Sequence, residues 1–266
     1  MERIGKESAP TIRAAVLRLE SQASLPEAPC VLERLQSLDP ELFGAALTGD
    51  SGGIVLTAWQ ILAERATTAD HKTTFPTRDD TLRIFGEKVY DSQPAIARVA
   101  ADGLARHPSS LNLLPLMMKW DAPQGDLALA DAVRMALRDN LRHPGIYAEV
   151  GKRLVGDDET VGGSSFRDPG FHKEDLARLS EVSLAVPTVD SATFLLAQLQ
   201  RTGLQDTRSA EFLRHATLHL PEDQIPALFA LVEKADAPSL PQRLALPPAD
   251  FQDLIGYLLS PPPAAQ

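Results

Sequence analysis

The chain is poor in cysteine and has no long hydrophobic run. A single cysteine, Cys30, among 266 residues excludes an internal disulfide framework. No stretch approaches the roughly 20 apolar residues of a membrane-spanning helix, so no membrane insertion is expected. The N-terminal residues MERIGKESAPTIRAAV also lack the continuous apolar segment of a signal peptide. If Met1 is the true start, the expected location is the cytoplasm.

Positive charge is also scarce. The chain has 26 lysines and arginines against 36 aspartates and glutamates, which gives a net charge of -10. This balance repels phosphate backbones, so nucleic acid is not an expected partner. The hydrophobic content of 44% is nevertheless sufficient for a real core.

Apolar residues recur at helical spacing along almost the whole chain, and the 21 prolines fall between the apolar runs. No segment has a convincing strand pattern, so the predicted fold class is all-α. The spacing predicts helices over 11–22, 28–37, 40–47, 53–66, 79–89, 93–106, 111–120, 125–141, 144–155, 175–186, 190–202, 206–219, 221–235 and 248–259.

The pattern is interrupted once. Residues 156–174 are polar, rich in glycine and without periodicity, which predicts a long exposed loop. The predicted organisation is therefore a set of helical repeats over 1–155, this loop, further helical hairpins over 175–259 that continue the stack, and a disordered proline-rich tail over 260–266.

One motif recurs with an interval of 41 residues, which lies within the roughly 40–47 residues typical of HEAT and armadillo repeats. A looser third copy begins at Asp121 with a slipped register. The predicted architecture is an α-solenoid of HEAT-like or armadillo-like helical pairs. The two clearer copies read Asp50-x4-Val55-x3-Trp59 and Asp91-x4-Ile96-x3-Ala100.

Residues Gly49–Gly53 read GDSGG, the sequence that surrounds the nucleophile of trypsin-like serine proteases. In those proteases the histidine base precedes the serine, whereas the first histidine here, His71, follows Ser51. The helical spacing after the loop also differs from a β-barrel. We interpret the loop as a turn between helices, and Asp50, Asp91 and Asp121 as turn or cap residues that accept hydrogen bonds from free backbone N–H groups.

Several stretches resemble the HEAT-repeat region of large haem-binding, dehydrogenase-like proteins of planctomycetes and related bacteria. These stretches are DPELFGAALTGDSGGIVLTAWQILAE, DSQPAIARVAADGL, DLALADAVRMALRDNL and PADFQDLIGYLLS. The resemblance covers about residues 30–145 and the last 20. It implies that this chain is a helical module that serves a haem-containing dehydrogenase system.

The chain departs from that family in two respects. A covalent c-type haem needs Cys-x-x-Cys-His, and the lone Cys30 has no neighbouring histidine. No cofactor is therefore expected. The β-propeller is absent as well, so the resemblance implies that this chain is the helical middle of such a protein, as a separate subunit or as a truncated product. If it is a piece of a larger chain, the expected location becomes periplasmic or secreted.

Two further groups of residues have the composition of candidate sites. His215 and His219 lie four residues apart on one predicted helix face, which suits two metal ligands, but no third ligand is evident, so they are weak metal candidates. Met117, Met118 and Trp120 form an apolar cluster that we interpret as core rather than as a ligand groove.

No complete catalytic constellation is present in the sequence, so an enzyme is not the expected function. The predicted function is a non-catalytic scaffold or interaction module that binds a protein partner on a concave face. The alternative is a fragment or subunit of a membrane-bound or secreted dehydrogenase–cytochrome c protein with an electron-transfer role.

Overall fold

The computed structural model describes residues 40–48, 52–65, 78–120, 126–152, 171–204 and 208–234, together with Pro29. Every regular element in these ranges is helical, which confirms the all-α prediction. The elements are α1 (Pro40–Thr48), α2 (Gly52–Arg65), α3 (Arg78–Lys88), α4 (Pro94–Arg106), η1 (Ser110–Asn112, a 3-10 turn), α5 (Leu113–Trp120), α6 (Leu127–Leu141), α7 (Ile146–Lys152), α8 (Lys173–Ser183), α9 (Val189–Thr202), α10 (Ser209–His219), η2 (Glu222–Gln224, a 3-10 turn) and α11 (Ile225–Lys234).

The helices belong to two compact units, Met1–Asn140 and Leu141–Gln266. The described helices α1 to α6 lie in the first unit, apart from the last residue of α6, and α7 to α11 lie in the second. In this part of the chain no helix combines the length and the apolar character that crossing a membrane requires.

Three helices agree closely with the ranges predicted from the sequence, and α11 begins four residues after its predicted start at 221. Helices α2, α4 and α9 begin and end within one residue of the predicted ranges 53–66, 93–106 and 190–202. Helix α8 begins at Lys173, inside the last two residues of the predicted loop, and there Asp175 Oδ2 accepts a hydrogen bond from the backbone N–H of His172 at 2.9 Å. Four predicted segments lie outside the described residues, apart from Pro29: 11–22, 28–37, 248–259 and the tail 260–266.

In the first unit, α4 packs against both α2 and α3. Its first residue, Pro94, lacks an N–H group at a position where no helical partner would be available. The rings of Trp59 in α2 and Phe85 in α3 are 5.7 Å apart and tilted, and both are buried. Phe85 lies directly against Gly103 of α4, where a Cβ atom would come within 2.6 Å of the ring. A glycine at this position therefore lets α3 and α4 approach closely.

In the second unit, α9 and α10 form the principal helix pair, and α11 packs on both. Helix α9 ends at Gly203, which has a φ of 67° and donates its N–H to the Leu199 carbonyl at 2.9 Å. The Tyr147 ring from α7 lies 5.2 Å from the Phe194 ring. The buried core shared by these helices comprises Leu195, Leu196, Leu199, Leu204, Phe212, Leu213, Ala216, Leu228 and Val232.

We predict that Gly103→Ala destabilises the protein by about 1–2 kcal/mol in urea unfolding. The added methyl group forces Phe85 to move, and the cost of overpacking exceeds the gain in helix propensity. The matched control is Gly86→Ala in α3, where the new Cβ would lie 4.0 Å from Pro115. That variant should be neutral or more stable by up to about 1 kcal/mol. Equal unfolding midpoints for the two variants would contradict the close contact.

Candidate functional site

The structure brings together the two histidines of the proposed metal pair. His215 and His219 lie on one face of α10, and their ring centroids are 4.7 Å apart. His215 is buried, and its Nε2 lies 2.9 Å from the Oγ of Ser191 in α9. One nitrogen of the pair is therefore already used inside the fold.

Its surroundings keep the His215 ring neutral. Burial lowers the pKa of the imidazole below its ordinary value of 6.5, and the charge of His219 lowers it further, although a hydrogen bond to the Val186 backbone acts in the opposite direction. A neutral imidazole suits both a buried hydrogen bond and a metal ligand. The contact of His215 with Ser191 favours the buried hydrogen bond over a metal ligand.

The described residues contain no group of three or more histidine, cysteine, aspartate or glutamate side chains that could hold a metal ion. A metal ion at His215 Nε2 would have to displace Ser191. Ser191 and His215 also resemble a nucleophile–base pair, but Ser191 is fully buried and no substrate can reach its hydroxyl. This contact serves the packing of α9 against α10.

Of the proposed turn aspartates, only Asp91 lies within the described residues. Its Oδ1 accepts a hydrogen bond from the Gln93 N–H at 2.9 Å, just before α4, and its Oδ2 pairs with Lys88 at 3.1 Å. Partial burial acts to raise its pKa, but the Gln93 and Lys88 contacts outweigh burial, so that the pKa is lowered. Asp50 and Asp121 lie outside the described residues.

The GDSGG stretch falls partly inside a helix. Gly52 and Gly53 are exposed residues of the first turn of α2, whereas residues 49–51 lie outside the described ranges.

A further capping residue was missed by the sequence reading. Asp126 accepts a hydrogen bond from the Leu129 N–H at 2.9 Å and so caps α6, five residues after the aspartate that the repeat alignment selected.

The sequence reading also missed a buried amide pair in the first unit, formed by Asn112 of η1 and Asn140 of α6. The Asn112 Nδ2 donates to the Asn140 Oδ1 at 3.0 Å and to the His107 carbonyl at 2.7 Å. Both amides also donate to the Leu104 carbonyl near the C-terminal end of α4. The pair therefore satisfies carbonyl groups that the helix itself leaves without partners.

Asn140 also fixes the turn after α4. Its Oδ1 accepts from the Ser109 N–H at 2.9 Å, and its Nδ2 donates to the Ala136 carbonyl at 2.8 Å. A signal for this pair was present in the sequence, because these are the only two asparagines in the chain. Composition alone did not indicate that the two side chains meet.

Methionine placement corrects the core prediction. Met117 is fully buried, but Met118 is 57% exposed. Trp120 is half-buried, with the Arg134 guanidinium 5.1 Å from its ring centroid. Neighbouring residues on a helix point about 100° apart, so consecutive methionines cannot both face one core.

Met118 belongs to an apolar stripe on η1 and α5. This α5 stripe consists of Leu111, Leu114, Pro115 and Met118, spaced so that they follow one helix face. Leu111 is 58% exposed, and the two central residues are half-buried. The Tyr90 hydroxyl donates to the Pro115 carbonyl at 3.0 Å, which adds a partly exposed ring beside the stripe.

We predict that Asn140→Ala destabilises the protein by about 2–3 kcal/mol, since it leaves the Ser109 N–H without this acceptor and removes a donor to the Leu104 carbonyl. Met135→Ala on the exposed side of the same helix is the control and should change stability little. Urea unfolding at pH 7 measures both. A wild-type midpoint for Asn140→Ala would show that the amide pair contributes nothing.

Comparison with protein-family models, with curated proteins and with solved structures finds no match to this chain.

Proposed function

We propose that this chain is a non-catalytic module of HEAT-like helical repeats that binds a protein partner. The observation that carries the proposal is the α5 stripe, four apolar residues at helical spacing that reach the surface. Contiguous exposed apolar patches are uncommon on monomeric proteins and mark interaction surfaces. Exposed methionine adds to this character, because its flexible side chain adapts to different partners.

The repeat alignment supports the architectural part of the proposal. Its equivalent positions are buried in both copies: Val55 with Ile96, and Trp59 with Ala100. Helices α2 and α4, which carry these residues, pack against each other. Stacking of equivalent helices through equivalent positions is the behaviour expected of a repeat protein.

The polar side chains favour a binding module over an enzyme. The buried groups that resemble catalytic residues are used by the fold, since Ser191 contacts His215 and the two asparagines bind backbone groups. Among the described residues, we therefore assign the contact with an external partner to the α5 stripe.

The proposed partner class is a haem-containing dehydrogenase system, which follows from the resemblance of the sequence stretches. The alternative, an electron-transfer subunit or fragment of such a protein, would require a coloured cofactor on this chain itself. The visible spectrum of the purified protein separates the two functions. Absorbance of the chain alone, without a partner, would favour the alternative.

We predict that tagged full-length protein captures a haem-containing dehydrogenase from the native host and that Leu111→Asp with Met118→Asp weakens capture at least about tenfold. A charge placed in the centre of an apolar contact must be desolvated without a partner. Leu218→Asp is the matched control, because Leu218 is 56% exposed but lies on α10 in the second unit. Its capture should equal that of the wild type.

Two results would contradict the proposal. Equal capture by the wild type and the double variant would remove the α5 stripe as the binding surface. A colourless eluate with no dehydrogenase would remove the proposed partner class. Circular dichroism of each variant checks that lost capture does not reflect unfolding.

A further inference from the structure

The connector between α8 and α9, residues 184–188, carries no charged or titratable side chain. It is held by a capping arrangement at the start of α9, in which the Ser191 N–H donates to the Thr188 Oγ1 at 3.2 Å and the Thr188 N–H donates to the Ser191 Oγ at 3.3 Å. The Ser191 hydroxyl also contacts the carbonyls of Val186 and Thr188. Ser191 is therefore the residue through which the connector is fixed.

His215 belongs to the same cluster of hydrogen-bonding groups. The Ser191 hydroxyl has one hydrogen, and it lies against the carbonyl oxygens of Val186 and Thr188. The His215 Nε2 lies 2.9 Å from the same Oγ. Protonation places a second hydrogen and a positive charge in this buried position.

His219 makes that protonation more costly. Its ring lies 4.7 Å from the His215 ring, so two imidazolium groups would repel each other. Among the described residues, no side chain other than His219 contributes a charge that shifts the His215 pKa. The charged groups with exposed side chains on α10 and on the elements around it include Glu211, Arg214, Glu181, Asp190, Arg201, Glu222 and Asp223. Arg208, directly before α10, is paired with Glu181 and Glu211, and on α8 the buried Asp175 is paired with Arg178. The two charged residues of α11, Glu233 and Lys234, lie at its C-terminal end.

We propose that Ser191, His215 and His219 form a proton-operated latch that holds the α8–α9 connector on α10 when the His215 ring is neutral and releases it when that ring is protonated. The buried His215 imidazole joins the uncharged connector to α10 through Ser191. The His219 imidazole lies beside it, so that a positive charge on one ring disfavours a positive charge on the other. Release separates residues 184–192 from α10 and exposes their backbone to water.

The direction of the pH dependence follows from the state of the imidazole. The His215 pKa is lowered in the closed state, chiefly by burial, and returns to about 6.5 when the ring is open to solvent. Above this pH neither state binds the proton, and closure is fully stable. As the pH falls through 6.5, the open state binds the proton first, so that closure weakens. The weakening ends below the lowered pKa, where both states are protonated.

The test is amide hydrogen exchange of residues 184–192 in the full-length protein, measured by mass spectrometry at pH 7.5 and 5.0 and corrected for the intrinsic pH dependence of exchange. We expect protection in this segment to be lower at pH 5.0 than at pH 7.5, because the open state binds the proton more tightly than the closed state and opening is favoured as the pH falls. The NMR titration of the His215 ring should give a midpoint below 6.5. Protection that is the same at the two pH values would overturn the latch.

Three variants separate the latch from general acid sensitivity. His215→Gln keeps a side-chain N–H donor for Ser191 but cannot titrate, so protection of 184–192 should become independent of pH. His219→Gln removes the repulsion and should reduce the loss of protection at pH 5.0, which keeps the proposal testable if His215→Gln does not fold. His143→Gln, at an exposed position, is the control and should behave as the wild type. Wild-type loss of protection in both His215→Gln and His219→Gln would overturn the proposal.

Discussion

The satisfaction of helix ends is the constraint on which both units depend. Each short helix leaves four N–H groups at its start and four carbonyls at its end without intrahelical partners, and a chain of short helices multiplies these groups. Leu104 near the end of α4 shows the solution in the first unit, where two asparagine amides donate to one carbonyl. In the second unit Ser191 and Thr188 perform the equivalent task at the start of α9.

This constraint explains how polar side chains of the described residues are used. Ser191 and His215 approach each other as a nucleophile and a base would, yet the hydroxyl is sealed from solvent and bound to backbone groups. Asp91 likewise has an ion-pair partner and a backbone N–H. The proposed partner-binding function rests instead on the α5 stripe, whose apolar side chains no helix end requires.

Helix positions could be predicted from the sequence because apolar spacing reports which face of each segment is buried. Such spacing is local, and it located α2, α4 and α9 to within a residue. The candidate site could not be predicted in the same way. The Asn112–Asn140 bond joins residues 28 apart, and the Ser191–His215 contact joins residues 24 apart. No periodic pattern encodes which side chains meet after the helices have packed.

The sequence by itself determined the all-helical class of the described residues, the limits of α2, α4 and α9, and the lack of an internal disulfide framework, because each follows from local spacing or from composition. Only the tertiary structure decided that the Phe85 ring packs against Gly103, that Met118 is exposed beside a buried Met117, and that His215 contacts the Ser191 hydroxyl. Each of these outcomes depends on atoms contributed by another helix or on the rotation of a helix against its neighbours. Distances of a few ångströms between such groups arise only when the helices pack.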